Sequence, residues 1–217
     1  MKKLLLFAIL LVVLTGCSYP SISRVDKLSF EQQMYTILPL KVKLKNQIGR
    51  GYKYYTPKGI TRLDSKDNND VLKSGNNKYY LYVDIVDYYY KNELEFTPNK
   101  NLYYSDKISY KDKHGYLQIT EKKKKLYVEM VYNYAKIETY IDKDNLNDAI
   151  RDISYVLSSI EFNDTLLKKM YEEGTLGSKE EVYKLFDNKE REGNFIEYVE
   201  EYDKYNSESN NTINANN

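Results

Sequence analysis

The chain has one cysteine, one histidine and no tryptophan in 217 residues. A single thiol cannot close an internal disulfide, and one cysteine with one histidine falls short of the ligand set of a structural zinc site. Nucleophilic catalysis needs a base beside the nucleophile. The only histidine, His114, lies in "KDKHGY", where the following glycine marks a hairpin turn. Net charge is almost missing too: 33 Lys and Arg stand against 32 Asp and Glu, a formal +1. That balance supplies no basic face of the kind nucleic acid requires. Nor does any apolar run reach the roughly 20 residues of a membrane-spanning helix. The longest, residues 4–14, has eleven.

That short run is informative because of what surrounds it. Lys2 and Lys3 precede it, and Leu14-Thr15-Gly16-Cys17 follows. A positive start, a short apolar region and small residues are the parts of a secretory signal. Leu14-Thr15-Gly16-Cys17 resembles the bacterial lipobox. The resemblance implies cleavage between Gly16 and Cys17 and attachment of diacylglycerol to the Cys17 thiol. The lone cysteine is then consumed, and two or three acyl chains hold the protein on a bilayer far better than one does. Residues 1–16 are thus expected to be a lipoprotein signal peptide and residues 17–25 a lipidated tether. The lipid bilayer, through acylated Cys17, is the first expected partner.

The mature chain is long enough for one domain with a real core. Without Lys2 and Lys3 its formal balance becomes −1. Its marked feature is 25 tyrosines. Abundant Lys, Asn, Tyr and Ile is the composition of AT-rich coding, so a Gram-positive source and the extracytoplasmic face of its membrane are expected.

Phe30, Met34, Ile37 and Leu38 have near-helical spacing, ended by Pro39. Residues 41–45 alternate Lys with Val and Leu, an edge-strand pattern. "NQIGRG" is expected to turn, "YKYYTP" to return as a strand and "TRLDSKDNND" to be a polar loop. "KYYLYVDIVDYYY" (78–90) reads as one central strand, apolar or aromatic on both faces. "YYSDKISY", "GYLQIT" and "LYVEMVYNYAKIETYI" (126–141) read as three further strands, the last two flanking a turn at residues 122–125. "DNLNDAIRDISYVLSSI" carries an apolar stripe of Leu146, Ala149, Ile150, Ile153, Leu157 and Ile160, with Asp144 as N-cap and Asp148 in the first turn. Asn163 or Asp164 caps a further helix stopped by Gly174, and Ser178 with Glu181 has capping-box spacing. The expected class is α+β: a mostly antiparallel sheet with helices on both faces, in three layers, plus a C-terminal helical extension. Residues 26–163 form the domain, 164–205 the extension and 206–217 a disordered tail.

The order "GYKYYTPKG", "YYLYVDI", "GYLQI", "YNYAKIETYI", "LSSIEF" resembles the PsbP-like fold over roughly residues 40–163. It is also similar to lipoproteins of Gram-positive bacteria without an assigned activity. The PsbP resemblance implies an extracytoplasmic accessory or assembly factor that binds other proteins. The metal-associated residues of that family have no counterpart here, so no site carries over.

The search for chemistry yields no catalytic residue, no metal site and no cofactor. Asp84 and Asp87, three apart on a strand, would point to opposite faces and make no hydrolase pair. Asp64, Asp67, Asp70, Asp142 and Asp144 do not follow a calcium-loop pattern. Lys122–Lys125 reads as a solvated turn. The tyrosines suit core strands and recognition surfaces alike. As a binding patch the candidates are Tyr88, Tyr89, Tyr90, Tyr103 and Tyr104. The expected function is a non-enzymatic, membrane-anchored lipoprotein that binds a protein partner in the cell envelope. A glycan or small-ligand module using tyrosine faces is the alternative, and a hydrolase ranks last.

Overall fold

The computed structural model describes residues 25–176. The signal peptide, Cys17, most of the tether, the Ser178/Glu181 pair and the expected tail lie outside the described residues.

Helix α1 (Phe30–Ile37) leads into a hairpin of β1 (Gln47–Gly49) and β2 (Tyr52–Tyr54). A first meander follows, β3 (Ile60–Lys66), β4 (Asn69–Ser74) and β5 (Asn77–Val83), then helix α2 (Ile85–Tyr90). The second meander is β6 (Tyr104–Tyr110), β7 (Lys113–Lys122), β8 (Lys125–Tyr132) and β9 (Ala135–Ile141). A 3-10 turn (Lys143–Asn145), α3 (Leu146–Ser158), β10 (Glu161–Phe162) and α4 (Asp164–Glu172) complete the described chain. The meanders join through β5 and β9 into a seven-stranded antiparallel sheet, ordered β3-β4-β5-β9-β8-β7-β6. Strands β1, β2 and β10 make a separate three-stranded sheet. The α+β class and the mostly antiparallel sheet agree with the sequence reading.

All five hairpins of the large sheet leave two residues between the last paired positions, such as Lys66↔Asn69, Ser74↔Asn77 and Tyr132↔Ala135. The first loop residue has positive φ in each: Asp67 55°, Gly75 57°, Lys111 55°, Lys123 56° and Asn133 51°. Two-residue loops of this kind match the strand twist and lock the register. Alternation then sorts the side chains. Leu81 and Val83, Leu117 and Ile119, Val128 and Met130, and Ile137 and Ile141 form one buried cluster with Ala149, Ile150, Ile153 and Leu157 of α3. Met34 and Leu38 bring α1 onto that cluster. So do Leu167 and Met170 of α4. The opposite face carries Val71, Tyr80, Tyr127 and Tyr140. Phe96, from the connection between α2 and β6, stacks on Tyr116 there at 4.0 Å and 3°.

Helix termini follow local chemistry. Ser29 and Gln32 form a reciprocal capping box at α1, which the sequence reading missed, and the helix stops just before Leu38-Pro39. Asn163 caps α4 through Leu166 N at 3.0 Å, and Gly174 follows with φ 68°. Asp144 is not the N-cap of α3: it lies inside the 3-10 turn, and Asn145 takes the cap position without a side-chain bond.

Four strand expectations are corrected. Residues 41–45 are unpaired, and β1 forms from the segment expected to turn, with the reversal confined to Arg50-Gly51. The "polar loop" 61–70 is the β3–β4 hairpin, polar because β3 is an exposed sheet edge. Residues 78–90 are not one strand, since β5 ends at Val83 and α2 follows. Residues 126–141 are two strands, because Asn133 and Tyr134 both adopt positive φ, 51° and 61°, and reverse the chain.

The α3 stripe carries a direct test. Ile153 and Leu157 are both 0% exposed. Leu157→Ala should cost about 2–5 kcal/mol. Ile153→Asp should abolish cooperative unfolding, since an unpaired buried charge consumes most of a domain's roughly 5–15 kcal/mol. Thermal and urea melts check both; unchanged melting would place the stripe in solvent.

Candidate functional site

The candidate tyrosines depend on how β5 ends. The Asp84 carboxylate accepts from Val86 N at 3.2 Å and Asp87 N at 2.8 Å, which starts a helix where alternation alone would continue a strand. Lys91, at φ 57°, terminates it. Tyr88, Tyr89 and Tyr90 thus leave one turn of helix toward α4 and β10. Tyr88 lies flat on Phe162 at 3.7 Å and 8°, and its hydroxyl donates to Asp164 Oδ1 at 2.8 Å. The Lys91 ammonium sits 3.5 Å from its ring centroid, and Tyr134 meets the ring edge-on at 5.6 Å. Burial, with help from Asp164, pushes the Tyr88 phenol up to about 12. Tyr89 stacks on Tyr171 at 5.1 Å, and Tyr90 meets both edge-on, at 5.4 and 6.3 Å. Tyr171 is 49% exposed. The result is a contiguous aromatic cluster with an inner pair, Tyr88 and Phe162, and an outer rim of Tyr89, Tyr90 and Tyr171; all are half-buried except Tyr171, which is exposed.

Tyr103 and Tyr104 have different neighbours. Tyr104 packs edge-on against Phe30 of α1 at 5.2 Å, and Tyr103 is exposed at the entrance to β6. The five candidate tyrosines therefore divide into a triplet on α2 and a pair at β6, with no ring contact between the groups among the described residues.

Most remaining tyrosines of the interior bond carboxylates. Tyr54 donates to Asp70 at 2.5 Å, Tyr79 to Asp152 at 3.4 Å and Tyr82 to Asp84 at 3.3 Å. On the opposite sheet face Tyr116 donates to Glu129 at 2.6 Å and Tyr127 to Glu138 at 2.5 Å. Glu129 and Glu138 lie directly opposite each other on β8 and β9, 1% and 4% exposed. Like charges so placed repel. Burial pushes the Glu138 carboxyl up, but Lys136 at 3.2 Å, the Tyr127 hydroxyl and a hydrogen bond with Glu129 outweigh burial and hold it below the usual carboxylate range. Sequence reasoning missed this carboxyl pair because it missed the Asn133-Tyr134 reversal. With that turn placed, Glu129 and Glu138 fall into register.

The other candidates have ordinary surroundings. His114 is exposed on β7, its Nδ1 3.1 Å from Ser109 Oγ. Lys122–Lys125 closes an exposed hairpin. Asp64 and Asp67 are exposed, whereas Asp70 is fully buried beneath Tyr54 and 3.7 Å from Arg62. Among the described residues no three His, Cys, Asp or Glu side chains are grouped to hold a metal ion. An open groove of about 610 Å³ runs along Asn46, Gln47 and residues 55–62.

One family model matches the chain: the prokaryotic membrane lipoprotein lipid attachment site, over residues 1–18. It supports a bacterial lipoprotein anchored to membrane lipid, with Leu14-Thr15-Gly16-Cys17 inside the match. No curated protein and no solved structure matches. No helix among the described residues is long and apolar enough to cross a membrane.

Asp84 gives the site a pH signature. Burial raises its carboxyl to about 6, against the pull of the Asp87 and Val86 backbone N–H bonds; the Asp87 charge adds to the rise and the Tyr82 hydroxyl opposes it. The folded pKa lies above the unfolded one, so the folded state binds the proton more tightly. Stability from this group is present below about pH 4 and is lost as pH rises through about 6. Asp84→Asn retains an oxygen for the helix cap and removes the titration. Between pH 4 and 7 the wild type should lose about 1–3 kcal/mol relative to the variant. Parallel pH–stability curves from urea melts would contradict the assignment.

Proposed function

We propose that this lipoprotein works as a protein-binding or assembly factor of the cell envelope and performs no chemistry itself. The observation that carries the reading is the aromatic cluster of α2 and α4. A rigid, amphipathic aromatic surface is the form that binding hot spots take. The PsbP resemblance adds an accessory role outside the cytoplasm, and the composition a Gram-positive envelope. Tyr88 has a supporting role in this reading, because its ring and hydroxyl are already occupied by Phe162 and Asp164. The contacts fall to Tyr89, Tyr90 and Tyr171.

Two experiments test it. Cys17→Ala should leave an uncleaved precursor that takes up no clickable fatty acid, and label persisting in that variant would defeat the anchor. A pull-down with the intact lipoprotein from its own membranes should recover a partner. Tyr89→Ala and Tyr90→Ala should each weaken recovery, a loss of about 2 kcal/mol being roughly thirtyfold in affinity. The fold should stay intact, because neither ring belongs to the fully buried core. Undiminished recovery with both variants would sink the reading.

A further inference from the structure

We propose that the surface built by residues 40–63 rests on anionic phospholipid, orienting the anchored domain on the bilayer. The chain as a whole is almost neutral, yet residues 41–63 hold Lys41, Lys43, Lys45, Arg50, Lys53, Lys58 and Arg62 and no Asp or Glu. Carboxylates from elsewhere offset part of this charge. Glu161 lies 2.8 Å from Lys53 and 3.6 Å from Lys45, and Asp70 lies 3.7 Å from Arg62. Lys41, Lys43 and Lys58 have no ion pair among the described residues and are exposed.

The same stretch exposes the aliphatic side chains that a bilayer interface accepts. Ile48 at 78%, Leu44 at 69% and Leu63 at 53% are the most exposed large hydrophobic residues among those described, and Leu40 at 44% is the next aliphatic one. Ile48 and Leu63 lie on one surface with Lys53 and Arg62. Ile48 faces Lys53 across the β1–β2 pair, and its carbonyl accepts from Arg62 Nη1 at 3.1 Å. Leu63 is the unpaired residue of the bulge next to Arg62. The hairpin at Lys122–Lys125 is also basic, but Leu126 beside it is fully buried, so it offers charge without insertion.

The lipid anchor supplies the occupant. Val25, the first described residue, follows Cys17 by eight positions, a span of at most about 26–29 Å. The domain is therefore held close to the bilayer that carries its acyl chains. At that distance the attraction of a few lysines to an anionic surface is enough to select an orientation, although it would not hold a free protein there. Basic side chains and exposed aliphatics together satisfy both requirements of an interfacial surface.

The only native thiol is acylated, so an introduced cysteine can be labelled uniquely. Full-length lipidated protein with Ile48→Cys or Tyr171→Cys, carrying an environment-sensitive NBD dye, is reconstituted in phosphatidylglycerol/phosphatidylcholine vesicles and in phosphatidylcholine alone. Co-flotation reports anchoring separately in every sample. The expected result is a blue shift with at least a twofold rise in emission at position 48, only in the anionic vesicles, and none at position 171. Lys41→Glu/Lys43→Glu/Lys58→Glu should abolish the shift while the protein still floats. Four outcomes overturn the proposal: a water-like signal at 48 in anionic vesicles, an equal shift in neutral ones, a shift at 171 instead, or a shift that appears only on adding a protein partner.

Discussion

A buried tyrosine hydroxyl must find an acceptor, and a buried carboxylate must find donors. At five places in this protein the two needs are met by each other, although the buried Tyr52 hydroxyl has no partner among the described residues. Tyr54 with Asp70, Tyr79 with Asp152, Tyr82 with Asp84, Tyr116 with Glu129 and Tyr127 with Glu138 are five instances within one domain. The pairing has a consistent electrostatic consequence. Burial and the adjacent carboxylate raise Tyr54, Tyr79 and Tyr82 far above the ordinary phenol range, so these rings remain neutral donors. A carboxylate bonded by a phenol can then sit in the interior, as Asp70 does at 0% exposure with Tyr54 and the Arg62 guanidinium beside it. Charged-group hydrogen bonds are worth roughly twice neutral ones, so the arrangement contributes to stability as well as satisfying polar atoms.

This chemistry works only if the sheet delivers each tyrosine to the correct face. Two-residue reversals do that by fixing register, and a slip of one residue would exchange the Leu81 and Tyr80 faces. Asp84 is where the two systems meet. Its carboxylate accepts from the Tyr82 hydroxyl and also caps α2, so the same group ends the last strand of the first meander and begins the helix bearing Tyr88, Tyr89 and Tyr90. Without the cap, these three rings would alternate along a strand. With it they turn toward Phe162 and Tyr171, which arrive from α4 and β10.

The elements that could be read from the sequence were those set by periodicity over many residues. The α3 stripe and the β7–β8 hairpin were visible for that reason, whereas the α4 cap was narrowed only to Asn163 or Asp164. What was not visible depended on one or two residues. Asn133-Tyr134 carries neither glycine nor proline, so a run of sixteen residues concealed a reversal, and with it the opposed Glu129 and Glu138. Asp84 resembled a strand residue because its neighbours are apolar on both sides, and only its bonds to Val86 and Asp87 N reveal the cap. The division of tyrosines into core and rim was equally hidden: Tyr79 at 1% and Tyr103 at 49% have similar sequence surroundings, and strand pairing separates them. The acid-free stretch 41–63 was countable from the start, but near-zero net charge masks a local excess.

The basic hairpin and the aromatic cluster also share a scaffold. Gly51 O accepts from Asn163 N at 2.9 Å, and Arg50 donates to Thr175 O at 2.9 Å, so the β1–β2 turn is fastened to both ends of α4. Leu167 closes the gap beneath: at Gly51, with φ 87°, a Cβ would lie 2.5 Å from Leu167 Cδ2, so the glycine is required by both conformation and space. Residues 40–63 therefore cannot take up an orientation independently of α4. If the Ile48-bearing hairpin sets the posture of the domain on the lipid, it sets the direction in which Tyr89, Tyr90 and Tyr171 face. An acyl anchor alone fixes distance from the membrane but leaves rotation free. A second, weaker contact through a hairpin fastened to α4 would remove that freedom and present the aromatic rim in one direction.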